Sequence, residues 1–154
     1  MARVTYVTGN ITNSSASLLV NTTNCVGVMG KGVALAFKQA FPHIMPMYQR
    51  DCRDGLIRPG TARIYELRRD PDRTSFWASL ATKDHWRDPS RLEWIEPALQ
   101  QLAIQAQHIG IDSIALPPPG CGNGGLDWRV VEPIVLRTLA NFDLEIYARS
   151  TLGR

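Results

Sequence analysis

Leu18-Leu19-Val20-Asn21-Thr22-Thr23-Asn24-Cys25-Val26-Gly27-Val28-Met29-Gly30-Lys31-Gly32-Val33-Ala34 carries three signals in one stretch. Leu18-Leu19-Val20 is short and wholly apolar, the pattern of a central strand covered on both faces. Val33, Ala34, Phe37, Ala40 and Phe41 recur at helical spacing, and Pro42 closes that helix. Between strand and helix the sequence predicts a loop that starts at Asn21 and is rich in glycine toward its end. Glycine lets a backbone approach a ligand closely, and a helix start offers unpaired N–H groups at the positive end of its dipole. Phosphate is the natural guest of such a turn. A nucleotide-triphosphate P-loop is nevertheless excluded twice. Cys25 stands where its first glycine belongs, and Gly32 replaces the hydroxyl that would hold magnesium.

Working outward, residues 4–7 read as a strand that ends at Thr8-Gly9-Asn10. A second short helix is expected over residues 43–54, and strands over 61–67 and 75–81 joined by the polar stretch 68–73. Leu92, Ile95, Leu99, Leu102, Ala106 and Ile109 form one helical stripe that Gly110 ends. Ser90 with Glu93 predicts a capping box for it, and the interior Pro97 predicts a kink or split. Residues 113–116 read as another buried strand, followed by a loop over 117–126. Asp127 is placed to cap a helix reaching about residue 139, again with an interior proline, Pro133. Residues 144–147 make the last strand. Strands alternating with helices predict a three-layer α/β/α sandwich whose mixed sheet is parallel at its centre. Ligands of such sheets sit at the carboxyl ends of the strands, where both glycine-rich loops fall.

A chain of 154 residues fits one domain, so residues 1–154 are read as a single unit without repeats or linkers. The apolar share of 44% suffices for a core, and no run approaches the about 20 residues of a membrane span. The N-terminus lacks the apolar stretch of a signal peptide. Three widely spaced cysteines (Cys25, Cys52, Cys121) indicate neither a disulfide framework nor a zinc ribbon, and His43, His85 and His108 pair with no other ligand at metal-binding spacing. The expectation is a reduced, cytoplasmic, metal-free domain. The net charge of +3 is too mild to mark a nucleic-acid binder by itself, but residues 1–49 contain no Asp or Glu, so nothing fixed there repels an anion. Residues 50–91 hold ten of the seventeen Lys and Arg interleaved with seven acids, the pattern of a solvated face.

The second loop, Pro117-Pro118-Pro119-Gly120-Cys121-Gly122-Asn123-Gly124-Gly125-Leu126-Asp127-Trp128, stiffens at its three prolines and then opens through four glycines in six positions. Two such loops on neighbouring strands would embrace a diphosphate from both sides. Together, Gly9-Asn10-Ile11, the run Gly-Val-Met-Gly-Lys-Gly and the run Pro-Gly-Cys-Gly-Asn-Gly-Gly-Leu-Asp-Trp resemble the macrodomains over about residues 3–148. Within that family the chain is most similar to the branch of terminal ADP-ribose glycohydrolases and DarG antitoxins. The block Leu80-Ala81-Thr82-Lys83-Asp84-His85-Trp86-Arg87 is particularly similar to the DarG type.

The resemblance implies that ADP-ribose is the ligand; no cofactor, metal or membrane partner is expected, and the chain is expected to be a monomer. It places Gly9, Asn10 and Ile11 at adenine, Asn10 standing where macrodomains usually carry an Asp that accepts from the adenine amino group. Asn21, Gly27, Val28, Met29, Gly30, Lys31 and Gly32 would line the phosphates and distal ribose from one side. Thr82, Pro119, Gly120, Cys121, Gly122, Asn123 and Gly124 would do so from the other, with Tyr147 near adenine. It assigns catalysis to Lys83, whether as an ammonium that polarises the ribose or leaving group or as an amine that attacks the anomeric carbon, and to Asn24, holding the distal ribose hydroxyls or the target base. The acid that terminal glycohydrolases carry in the second loop is absent at Asn123 and Gly124, which points to the DarG-type reaction, removal of ADP-ribose from thymidine in DNA. Trp86 and Arg87 suit a nucleic-acid substrate, by stacking on a base and touching phosphate. Cys25 and Cys121 have no histidine partner to make either a nucleophile. Hydrolysis of ADP-ribose esters on protein Glu or Asp, or of O-acetyl-ADP-ribose, and plain reading of ADP-ribose remain the competing functions. DarG antitoxins extend beyond their macrodomain, so the length of this chain argues against direct toxin binding.

Overall fold

Side chains of β2 (Leu18–Thr23) point alternately to the two faces of a sheet, and both faces are covered. Leu18 and Val20 join one apolar cluster, with Ile95, Leu99, Leu102, Val131 and Val135. Leu19 joins the other, with Phe37, Phe41, Tyr48 and Trp77. The computed structural model, which describes residues 2–152, is thus a sheet between two helical layers. One layer is α1 (Gly32–Ala40) and α2 (Met45–Arg53), the other α3 (Leu92–Ile109) and α4 (Trp128–Thr138). The remaining strands are β1 (Val4–Tyr6), β3 (Ala62–Arg69), β4 (Thr74–Ala81), β5 (Ser113–Leu116) and β6 (Asp143–Ile146). Their order is β1-β6-β5-β2-β4-β3, with every neighbour parallel except the β3–β4 hairpin. This is the expected mixed, centrally parallel α/β/α sandwich.

Several boundaries differ from the sequence reading. β2 runs on through Asn21, Thr22 and Thr23, which pair with Ser79, Leu80 and Ala81 of β4. The Thr23 hydroxyl shares a 2.7 Å hydrogen bond with Ser79, so a polar pair is satisfied inside the sheet and the loop begins only at Asn24. The expected helix over 43–54 is divided into a 3-10 turn, Pro42–Ile44, and α2. Ser90 does not cap α3; Arg91 occupies the cap position without a side-chain bond, and the Ser90 hydroxyl is turned elsewhere. α3 continues through Pro97 without a split, because that proline sits on the exposed face where water reaches the carbonyl left unpaired a turn earlier. Gly110 ends α3 in the left-handed region at φ 93°, its N–H on Ala106 O, and the Asp127 carboxylate accepts from Arg129 N to cap α4, both as read from the sequence.

Among the described residues no helix is long and apolar enough to cross a membrane. Leu102 is fully buried whereas Ile104, two residues on, is 70% exposed. Leu102→Ala is expected to cost about 2–5 kcal/mol of stability and Ile104→Ala less than about 0.5 kcal/mol, read as the difference in urea unfolding midpoints.

Candidate functional site

Parallel strands deliver their carboxyl ends to one edge, where β2, β4, β5 and the turns after β1 and β6 surround a cleft of about 1040 Å³. Among the described residues Lys31, Lys83 and Arg87 line it, and no Asp or Glu does. The expected ligand residues Gly9, Asn10, Ile11, Val28, Gly30, Lys31, Gly32, Thr82, Gly120, Cys121, Gly122, Asn123, Gly124 and Tyr147 line it together with Asn24 and Lys83. Four expected residues lie off its wall. Asn21 is buried in β2 with its amide nitrogen on the sulfur of Met29, which plugs the space beneath the loop. Gly27 turns to α2, its carbonyl accepting from Gln49 Nε2 at 3.2 Å. Met29 and Pro119 are buried and off the wall. Thr22, Thr23, Ser90, Pro117 and Pro118 line the cleft without having been singled out, as do Val33, Ala34 and Ala36 of α1.

Asn24 is mostly spent on its own loop. Its Oδ1 accepts from Val26 N at 3.0 Å, Val28 N at 3.4 Å and the Tyr48 hydroxyl at 3.0 Å, while Nδ2 donates to Val28 O at 2.8 Å. One Nδ2 hydrogen remains for a ligand. Tyr48 also donates to the Asn24 carbonyl at 2.9 Å, and burial pushes its phenol pKa up, so it stays a donor. The loop then enters α1 at Gly32, φ +56°, with Lys31 at the cap position and no side chain capping the first amides. A Cβ on Gly32 would stand 3.1 Å from Asn123 Nδ2, so this glycine is also where the two loops meet. Asn10 spends its Oδ1 on Thr12, accepting from N at 3.0 Å and Oγ1 at 2.7 Å. The carbonyl expected to face adenine is therefore the cap of the turn Ile11–Asn13.

Lys83 is anchored through its backbone before its side chain begins. Thr82 N and Lys83 N both donate to Thr23 O, at 3.1 and 3.3 Å, and Cys25 N donates to Asp84 O at 2.9 Å. The Nζ then donates to Asn123 O at 3.3 Å and Trp86 O at 3.4 Å. Burial pushes the Cys25 thiol up to about 12 and the Cys121 thiol up to about 11, so both are protonated at neutral pH and neither is a nucleophile.

At position 124 of the second loop an acidic side chain meets a steric obstacle. Gly124 does not occupy the left-handed region, so its backbone suits any residue. A Cβ there would lie 3.0 Å from Ser90 Cβ and nearer still to Ser90 Oγ. Ser90 N also donates to Gly124 O at 2.9 Å, which holds the two segments at that spacing. The serine read as a helix cap is the residue that keeps position 124 bare. Gly124→Ala is expected to cost about 1–3 kcal/mol, and adding Ser90→Gly to recover most of it, measured by thermal unfolding of the three variants.

A family model for the Macro domain matches residues 20–135. A Thermus aquaticus protein named DNA ADP-ribosyl glycohydrolase is 43% identical over 135 residues, covering 87% of this chain and 37% of that protein. A Mycobacterium tuberculosis protein of the same name is 38% identical over 150 residues, covering 96% of this chain and 42% of that one. The chain thus spans about two fifths of the length of these curated relatives. The solved macrodomain of Mycobacterium tuberculosis DarG superposes with TM-score 0.88 at 37% identity, over 97% of this chain and all of that one. The Thermosipho africanus DarTG structure in complex with ADP-ribose gives 0.87 at 30% identity, over all of this chain and 43% of that one.

Proposed function

The chain belongs to the macrodomain family, and from that membership we propose that its cleft binds ADP-ribose and hydrolyses the bond joining it to thymidine in DNA. The observation that carries the reading is the Lys83 ammonium, held against two carbonyls in a cleft lined by cations and no acid. The relatives named for this activity support the substrate. The diphosphate lies between the two glycine loops, where uncapped amides of α1 and close backbone favour an anion. Hydrolysis breaks the bond from the anomeric carbon to the base nitrogen. Water supplies a hydroxyl to the carbon and a proton to the nitrogen. Lys83 donates to the distal ribose or the leaving base as negative charge develops there, and the site needs no metal for this.

Two substrates separate this reading from its rivals: an oligonucleotide ADP-ribosylated on thymidine and a protein ADP-ribosylated on glutamate. Cleavage of the DNA adduct, reduced about 10²–10⁴-fold in Lys83→Ala while calorimetry still detects ADP-ribose binding, is expected. Cleavage of the ester alone would make it a protein-directed hydrolase, and binding without cleavage a reader. Asn10→Asp retains the acceptor that caps Thr12 and adds a charge-assisted acceptor beside the base. Its ADP-ribose affinity is expected to be equal to or above that of the natural protein, again by calorimetry.

A further inference from the structure

The tryptophans of the chain fare differently. Trp77 is 1% exposed and stacks on Tyr65, Trp128 donates its indole N–H to Arg149 O, and Trp94 lies under the Arg91 guanidinium. Trp86 is 50% exposed, and it lines the cleft. Its own carbonyl accepts from Lys83 Nζ at 3.4 Å, so the ring belongs to the residue that touches the catalytic ammonium. Arg87, also on the cleft wall, holds its guanidinium carbon over the Trp86 ring, 5.7 Å from the centroid, much as Arg91 does over Trp94; what sets Trp86 apart is its place on the cleft wall. The His85 ring lies 5.0 Å away at 39°. Asp84 and Asp88 occur in the same segment, but neither lines the cleft.

We propose that Trp86 and Arg87 form a stacking subsite for a base of single-stranded nucleic acid at the Lys83 end of the cleft. A half-exposed indole with a guanidinium over its ring is a surface whose open part takes a flat base while the cation meets a neighbouring phosphate. Every base has a π-face, so the subsite is tolerant of sequence. A base within a duplex has both faces covered by its neighbours, so the platform takes single strands or an extruded base. The absence of acids on the cleft wall leaves the phosphates of the strand unopposed. A peptide carrying an ADP-ribosyl ester offers no such ring, so the platform favours the nucleic-acid substrate at the step of leaving-group recognition. This deepens the function proposed above and rests on its nucleic-acid substrate.

Strand binding is read without turnover, by fluorescence anisotropy of a labelled, unmodified six-thymidine strand with the protein saturated by free ADP-ribose. Trp86→Ala is expected to weaken the strand about 5- to 100-fold at fixed salt, the range that one stacked base contributes. Trp86→Phe should keep most of the affinity. Arg87→Ala should weaken it and flatten the log–log salt dependence by about 0.7, the slope of one phosphate contact on a single strand. An unchanged affinity in Trp86→Ala, equal affinity for the duplex of the same sequence, or no strand binding by the natural protein would each overturn the platform. So would a Trp86→Ala variant that loses cleavage of an ADP-ribosylated peptide as steeply as that of the DNA adduct. A natural protein that binds the strand through Trp86 yet leaves ADP-ribosylated thymidine intact overturns the proposed hydrolysis alone.

Discussion

The carbonyl of Thr23 is the point on which the site hangs. It ends the central strand and accepts from the backbone of both Thr82 and Lys83, so the first glycine loop and Lys83 leave the sheet from one shared atom. A second strap, Cys25 N on Asp84 O, keeps the two segments together for one residue more. Parallel pairing makes this possible, because β2 and β4 finish at the same edge in register, Thr23 opposite Ala81. An antiparallel partner would have sent one of them away from the cleft. The stiffness of the sheet is thereby passed to Lys83 up to its Cα, and only the side chain remains to be placed.

That last placement depends on the second loop. Asn123 O receives the Lys83 ammonium, and the 3-10 turn Gly122–Gly124 that presents it is held from behind by Ser90 N on Gly124 O. Gly120 is crowded by Leu126, Ile95 and Ser90, and Gly124 by Ser90. The glycines of this loop serve close packing onto α3 and the segment before it as much as ligand approach. Any side chain at position 124 must displace Ser90, so packing opposes a carboxylate at that position. Among the described residues Lys83 stands beside Asn123 with no Asp or Glu on the cleft wall.

The alternation of Leu18, Leu19 and Val20 reads directly as two covered faces, and from it the three layers follow. The helical stripe, Gly110 and Asp127 are local signals with local causes and were legible for that reason. What sequence reading missed depends on partners far along the chain. Thr23 looks like loop chemistry until Ser79 satisfies it, fifty-six residues on. Ser90 fits a capping box by spacing, but its actual neighbours, Gly120 and Gly124, lie about thirty residues downstream. Asn10 and Asn24 were matched to ligand positions, and they reach the cleft, but their side-chain oxygens serve the turns that shape it. An asparagine that caps and one that binds carry the same local pattern, and only the hydrogen-bond partners distinguish them.

The segment from Thr82 to Ser90 therefore concentrates three separate physical roles. Lys83 supplies the cation, Trp86 supplies both a carbonyl for that cation and an exposed ring, and Ser90 holds the loop that supplies the other carbonyl. None of the residues between 83 and 90 lies in a helix or strand; the segment is tied at its ends to Thr23 O and Gly124 O, and inside by Cys25 N on Asp84 O and by the turn from His85 O to Asp88 N. A change at either anchor moves the cation and the ring together. The cation, the ring and the contact that holds Gly124 are thus all carried by one nine-residue strap, Thr82 to Ser90, laid along the carboxyl edge of the sheet.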